Sequence, residues 1–330
     1  MFAAQLLAFG APLRIVTMPE PVPGPDEVLV RTRGCGLCRT DLHLVQGIAY
    51  RPALPHIPGH EPAGTVAALG QGVTSLAVGD RVAAYIFDHP SRFVVHGPDN
   101  PLTDLPESIL GVTRPGAFAE YFILPARNAI PVPDVVPLEC AGLMSCAGVT
   151  AVHAVARGRV MAGDRVLVIG AGGVGGLIVQ LLAHAGVTVD VVDHSADRCG
   201  AALADGAITA TEPYANRSLG THDLVFDVVG KAQSMALAGV AVRRRGRIVV
   251  IGEEPEFPQI DTITIAQREI EIIGSRNGDL EDAWTAMRLM SEGVLRPLIG
   301  ARIGLEGLND ALAAMAEGRG QGRTIVAFSP

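Results

Sequence analysis

The chain is nearly without lysine: of its 26 basic residues only Lys231 is one, a skew that reads as nucleotide composition and carries no chemistry. Cysteine is scarce as well. Five residues, an odd number, do not make a disulfide framework and point to a reducing compartment. No run of about 18 apolar residues occurs, and the first residues lack the charged region, apolar run and small-residue cleavage site of a secretory leader. A cytoplasmic protein with no membrane partner is therefore expected. Nor is there an excess of positive charge. A net charge of −8 argues against nucleic acid or an anionic membrane surface as partner. No internal repeat or low-complexity tract is evident.

What remains is globular in composition, with 48% hydrophobic and 18% charged residues, and 330 residues suit two domains. Up to about Pro137, short apolar stretches alternate with Pro and Gly, as in Glu27 to Arg31, Gly64 to Gly70, Gly79 to Val82 and Ala117 to Ile123. That texture predicts antiparallel strands with tight connections, closing into a partly open β-barrel. Beyond it, Ala-rich helical runs alternate with Val- and Ile-rich strands. Val166, Val189, Leu224, Ile248 and Ile270 mark five expected strand centres of a parallel doubly wound sheet. Helices over Glu281 to Gly293 and Leu308 to Glu317, then a strand over Arg323 to Ala327, close the chain.

Two stretches carry chemistry. From Gly34 to His43 a thiolate, a cation, a hydroxyl, a carboxylate and an imidazole fall within ten residues. With His60, Glu61 and Cys146 they supply two sulfurs and one ring nitrogen, the usual protein donors of a zinc that keeps one position open. Cysteine is also a common core residue, and Cys35 reads that way. Cys35 and Cys38 form a Cys-x-x-Cys pair, which also suits a redox site or half of a structural zinc site, although no second pair follows. Spacing alone does not decide among these, because the three donors lie far apart in the chain.

The second stretch is more specific. The run Arg165 to Ile169 leads into Gly170-Ala171-Gly172-Gly173-Val174-Gly175 and then into helical periodicity, and a second apolar run ends at Asp193. A G-x-G-x-x-G loop between strand and helix, with an acidic residue about 20 positions on, predicts a dinucleotide site with pyrophosphate on the helix N-terminus. Gly170 serves the turn, Gly172 the close approach of backbone, and Gly175 the packing of helix on strand. A carboxylate at Asp193 accepts hydrogen bonds from ribose hydroxyls and repels a 2′-phosphate, which favours NAD over NADP. Arg198 leaves room for the phosphate.

The motifs Gly-Leu-Cys-Arg-Thr-Asp-Leu-His at 36–43, Pro-Gly-His-Glu at 58–61, Val-Gly-Asp-Arg-Val at 78–82, Ser-Cys-Ala-Gly-Val-Thr at 145–150 and the glycine loop together resemble those of the medium-chain zinc-dependent alcohol dehydrogenases. The resemblance runs over essentially the whole chain. It implies an α/β protein with a GroES-like β-barrel catalytic domain at 1–147 and a Rossmann NAD-binding domain with a doubly wound parallel sheet at 148–276. Residues 277–330 would return to the catalytic domain, and the active site would lie in the cleft between the domains.

By the same resemblance, Cys38, His60 and Cys146 match the catalytic zinc ligands, and Cys146 stands where polyol dehydrogenases of the superfamily place Glu. Glu61 matches a carboxylate that approaches the zinc when its fourth ligand leaves, and Asp41 a group that orients His60. Arg39 and Arg323 match cations on the pyrophosphate. Zinc would acidify a bound alcohol, whose proton would leave through Thr40 and a cofactor ribose hydroxyl to His43 while hydride passes to the nicotinamide.

One departure is plain: no cysteine occurs between Ala83 and Glu139, where many relatives hold a second, structural zinc. One zinc per chain is expected. His89 and His96, with Asp88 and Asp99, read as solvated residues of a Pro-rich loop rather than a substitute site. Ile86, in Tyr85-Ile86-Phe87, faces either the substrate or the core, and Ser275 lies near the nicotinamide. The expected partners are a small alcohol or carbonyl substrate and further copies of the chain, as a dimer or tetramer. Ser275-Arg276-Asn277 resembles a segment of some polyol and sugar-acid dehydrogenases, which keeps that substrate class open. A zinc-free quinone or enoyl reductase is disfavoured by the complete ligand set and by Asp193.

Overall fold

The computed structural model describes residues 1–48, 50–87, 108–211, 220–320 and 322–329. His89, His96, Asp88 and Asp99 lie outside them. The chain divides into two units, Met1–Cys146 with Leu298–Pro330, and Ala147–Pro297.

The first unit opens with an antiparallel pair, β1 (Phe2–Gln5) and β2 (Arg14–Thr17). Then come β3 (Glu27–Gly36), helix α1 (Arg39–Gln46), β4 (Glu61–Leu69), β5 (Arg81–Ala84), β6 (Tyr121–Pro125), β7 (Ala129–Pro131) and α2 (Leu138–Ala141). In the second unit follow α3 (Ala147–Gly158), β8 (Arg165–Ile169), α4 (Gly173–His184), β9 (Thr188–Val192), α5 (Ala196–Ala204), β10 (Thr209–Thr211), β11 (His222–Asp227), α6 (Ala232–Ala241), β12 (Val242–Val250), α7 (Thr262–Arg268), β13 (Glu271–Gly274) and α8 (Leu280–Ser291). The chain then returns to the first unit as β14 (Ile299–Ile303), α9 (Leu308–Ala316) and β15 (Arg323–Ala327). Helix α8 packs on α3 within the second unit, so this return comes at Leu298 and not at 277.

Among the described residues of the first unit, seven strands form one sheet in the order β14-β15-β3-β4-β5-β7, with β6 also paired to β3. Strand β3 is central because its Val and Leu residues are buried, and Phe118, Phe122, Leu37 and Leu44 fill the core beside it. Two pairings matter for the site: Gly36 stands opposite Glu61 on β4 and opposite Ile325 on β15. Ile86 is 4% exposed and belongs to this core.

The sheet of the second unit is parallel throughout, in the order β10-β9-β8-β11-β12-β13. That is the doubly wound order whose direction reverses between the first and fourth strands, β8 and β11, where such sheets hold nucleotides. Strands β8 and β9 are buried on both faces, as parallel strands covered by helices must be, and so read as continuous apolar runs. Strand β10 has only three residues, two of them Thr, and adds a sixth strand to the five expected. Ile270 precedes β13 rather than centring it.

The stretch Leu138–Gly158 is long and apolar enough to cross a membrane. It is broken into α2, a 3-10 turn and α3 and is mostly buried, so it serves as core.

Candidate metal centre and nucleotide loop

Cys38 ends the turn that leaves β3 and caps the N-terminus of α1, where the helix dipole favours a thiolate. Asp41, fully buried three residues later, accepts the Cys38 amide at 2.9 Å through Oδ2. Its Oδ1 accepts from the Gly59 amide at 3.2 Å and lies 3.1 Å from His60 Nδ1. One carboxylate therefore fixes the backbone of one donor and the ring of another. With Nδ1 on Asp41, the imidazole presents Nε2 as the free donor, the carboxylate-histidine arrangement typical of metal ligands. Gly59 makes the approach possible, with φ +95° and a position at which a Cβ would lie 2.6 Å from the Phe118 amide nitrogen.

Cys146 arrives from the other side, between the 3-10 turn Gly142–Ser145 and α3. The donor atoms of Cys38, His60, Glu61 and Cys146 all lie within 4.8 Å of one another. The sequence-expected trio thus meets, with Glu61 as a fourth member. Arg323 donates to Glu61 Oε2 and, at 3.1 Å, to the Leu37 carbonyl. Thr40 Oγ1 is 3.8 Å from Cys38 Sγ. His43 is buried at 5% exposure, and Arg39, at the start of α1, is exposed.

The electrostatics favour a cation here. Hydrogen bonding with the Cys146 sulfur holds the Cys38 thiol well below its usual range against the effect of burial, and the same contact with Cys38 pushes Cys146 well above. Only one of two sulfurs this close and this buried ionises unless a positive charge lies between them. Burial works to discharge His60, but Asp41 and the Cys38 sulfur prevail and raise it. Burial likewise raises Glu61, against the pull of Arg323. His60 Nε2, Glu61 Oε1 and Ser145 Oγ are buried without a hydrogen-bond partner. Buried polar atoms left unpaired are costly, and two of these belong to the cluster. Two sulfurs, one imidazole nitrogen and a carboxylate within this span fit a zinc ion.

The nucleotide loop lies in the second unit. Gly170, at φ +91°, turns the chain from β8, and a Cβ on it would sit 2.8 Å from Val229 Cγ2. A Cβ on Gly172, the N-cap of α4, would meet nothing within 4 Å. Gly173 and Val174 begin the helix, and Gly175 packs its Cα against the Gly170 carbonyl. At the end of β9, Asp193 accepts the Ala171 amide at 2.8 Å, the Ser195 amide at 2.9 Å and Arg198 Nε at 2.9 Å. Burial would raise this carboxyl, but Arg198 and the two amides hold it below the usual carboxylate range. Ser275, after β13, is buried with its hydroxyl unpartnered.

Sequence reasoning missed two connections, the Glu61–Arg323 ion pair and the Asp193–Arg198 pair. The second is local and carries a signal in the five-residue spacing. The first joins residues 262 apart and carries none.

Known proteins resemble the chain in both units. Residues 24–134 match the alcohol dehydrogenase GroES-like domain and residues 173–292 the zinc-binding dehydrogenase domain. An alcohol dehydrogenase of Geobacillus stearothermophilus is 31% identical, over 99% of each chain. A 2-dehydro-3-deoxy-L-galactonate 5-dehydrogenase of Pseudoalteromonas atlantica is 29% identical, over 98% of this chain and 97% of its own. Among solved structures, the alcohol dehydrogenase of the archaeon Aeropyrum pernix superposes with a TM-score of 0.89 at 26% identity, covering 99% of this chain and 100% of its own.

Proposed function

The chain belongs to the medium-chain zinc-dependent dehydrogenases, and on that premise we propose that it interconverts an alcohol and its aldehyde or ketone with NAD+, holding one zinc per chain. The observation that carries this reading is the pair of buried orphan atoms, His60 Nε2 and Glu61 Oε1, in one cluster with two sulfurs. Cys38, His60 and Cys146 hold the ion. When bound, zinc supplies Lewis acidity that lowers the pKa of an alcohol toward neutrality.

The chain's own residues do the rest. Asp41 keeps the His60 ring turned so that Nε2 faces the cluster. Thr40 and His43 stand three positions apart on α1, hence on one face of the helix, and the Thr40 hydroxyl beside Cys38 takes the alcohol proton toward the His43 imidazole. Gly170, Gly172, Gly173, Val174 and Gly175 receive the dinucleotide phosphates, and Ser275 its nicotinamide end. Asp193, ionised and anchored, takes the ribose hydroxyls in preference to a 2′-phosphate, with Arg198 as its partner.

Metal analysis together with hydride transfer from a panel of primary, secondary and polyhydroxy alcohols to NAD+ and NADP+ tests the proposal. One zinc per chain and a higher kcat/KM with NAD+ are expected; two zincs, or a preference for NADP+, would overturn the corresponding part. The Ser275-Arg276-Asn277 segment and the sugar-acid relative support a second reading, a polyhydroxy acid substrate, which the same panel separates. Thr40→Val should cut turnover about 10²-fold or more while zinc content stays the same. Unchanged turnover would remove Thr40 from the proton path.

A homo-oligomer fits the surface of the second unit. Strand β13 is a sheet edge with Ile272 39% exposed, none of α7 is buried and its Ile263 is 68% exposed, and Phe257, in the segment before α7, is 99% exposed. An apolar edge of this kind is usually covered in solution.

A further inference from the structure

Gly36 ends β3 without a backbone reason to be glycine. It is not among the residues with positive φ, and it is paired on both sides, with Glu61 and with Ile325. The reason is space. A Cβ there would lie 2.0 Å from Glu61 Oε2, 3.1 Å from Glu61 Cβ and 2.6 Å from Leu143 Cδ2. The oxygen filling the place of the missing side chain is the one that accepts from Arg323, while Oε1 of the same carboxylate is buried and unpartnered.

We propose that Gly36 is a positioning residue for the metal centre: the notch it leaves lets Glu61 lie on Arg323, which keeps the carboxylate from closing the fourth position on the metal. The inference rests on the zinc reading above. A side chain at position 36 displaces Glu61 Oε2 from the notch, and a Glu61 carboxylate oxygen already lies within 4.8 Å of both sulfurs and the imidazole, so the cluster is the nearest place for it to go. The other obstructing atom at close range, Leu143 Cδ2, is the end of a flexible side chain. The strand pairing can therefore survive the substitution, and the effect falls on Glu61. Arg323 stays in place, because it also holds the Leu37 carbonyl.

The test loads the full chain with cobalt(II) and titrates azide, an anion that binds only where a coordination position is open, following the visible bands of the metal. Gly36→Ala is expected to need roughly tenfold more azide than the unsubstituted chain and to release cobalt to a chelator more slowly. Arg323→Gln, which frees Glu61 without crowding it, should do the same. Combining Gly36→Ala with Glu61→Ala should abolish the difference, leaving the double variant equal to Glu61→Ala alone. Circular dichroism reports whether Gly36→Ala folds; if it does not, Gly36→Ala in a Leu143→Ala background, which removes the other obstruction, decides against Leu143→Ala alone. An unchanged azide response in the folded variants, or a shift that persists without the Glu61 carboxylate, would overturn the proposal. Failure of the unsubstituted chain to take up one cobalt would overturn the zinc reading instead.

Discussion

Cys146→Ala is expected to bring zinc from one per chain to near zero and turnover down by roughly three orders of magnitude. Catalytic zinc is held by three protein donors, and two of them, Cys38 and His60, do not retain it against buffer once the third is gone. The Lewis acid contributes several kcal/mol to the transition state, and about 1.36 kcal/mol corresponds to a factor of ten in rate, so a loss of about 4 kcal/mol is the scale. Residue 146 lies between the 3-10 turn and α3, outside both, and its φ of −128° and ψ of −68° lie on the negative-φ side, where alanine is no worse placed than cysteine. The fold should therefore survive, and so should dinucleotide binding, since the glycine loop belongs to the other unit. Atomic emission of the purified variant, with NADH formation followed at the nicotinamide absorbance, checks both halves. Full turnover in a zinc-free variant would end the metal mechanism.

The parts of this picture legible in the sequence are those whose geometry is local. The glycine loop is legible because a turn, a helix start and a close packing contact all fall within six residues, and the turn at Gly170 and the contact at Gly175 each demand glycine for a reason of their own. The parallel strands β8 and β9 are legible because burial on both faces leaves unbroken apolar runs. Strand β10 is not, because three residues of Thr and Ala carry no period. The donor cluster lies between these extremes. Cys38, His60 and Cys146 are too far apart for spacing to join them, and only their resemblance to a family did so. What no pattern in the chain announces is the adjacency of β15 and β3. That pairing brings Arg323 onto Glu61 and leaves Gly36 as the notch between them, and it is a property of sheet order.

Two substitutions in the glycine loop should weaken dinucleotide binding for different reasons. A Cβ on Gly175 would lie 1.8 Å from the Gly170 carbonyl oxygen and 2.9 Å from its carbon, both backbone atoms that cannot swing aside. Gly175→Ala must push α4 off β8, at a cost of about 1–3 kcal/mol in stability, and it displaces the helix N-terminus that receives the pyrophosphate. A lower Tm and NADH affinity reduced by about two orders of magnitude are expected. Gly172→Ala meets nothing within 4 Å, so its Tm should stay the same. Yet the open space it fills is the approach to the unpaired amides at the start of α4, and its NADH affinity should fall about tenfold or more. Zinc content should be unchanged in both, since the donors lie in the other unit. Calorimetric titration with NADH beside thermal unfolding separates packing from ligand approach. If Gly172→Ala binds NADH as tightly as the unsubstituted chain, the pyrophosphate does not rest on this helix, and the cofactor assignment built on the loop fails with it.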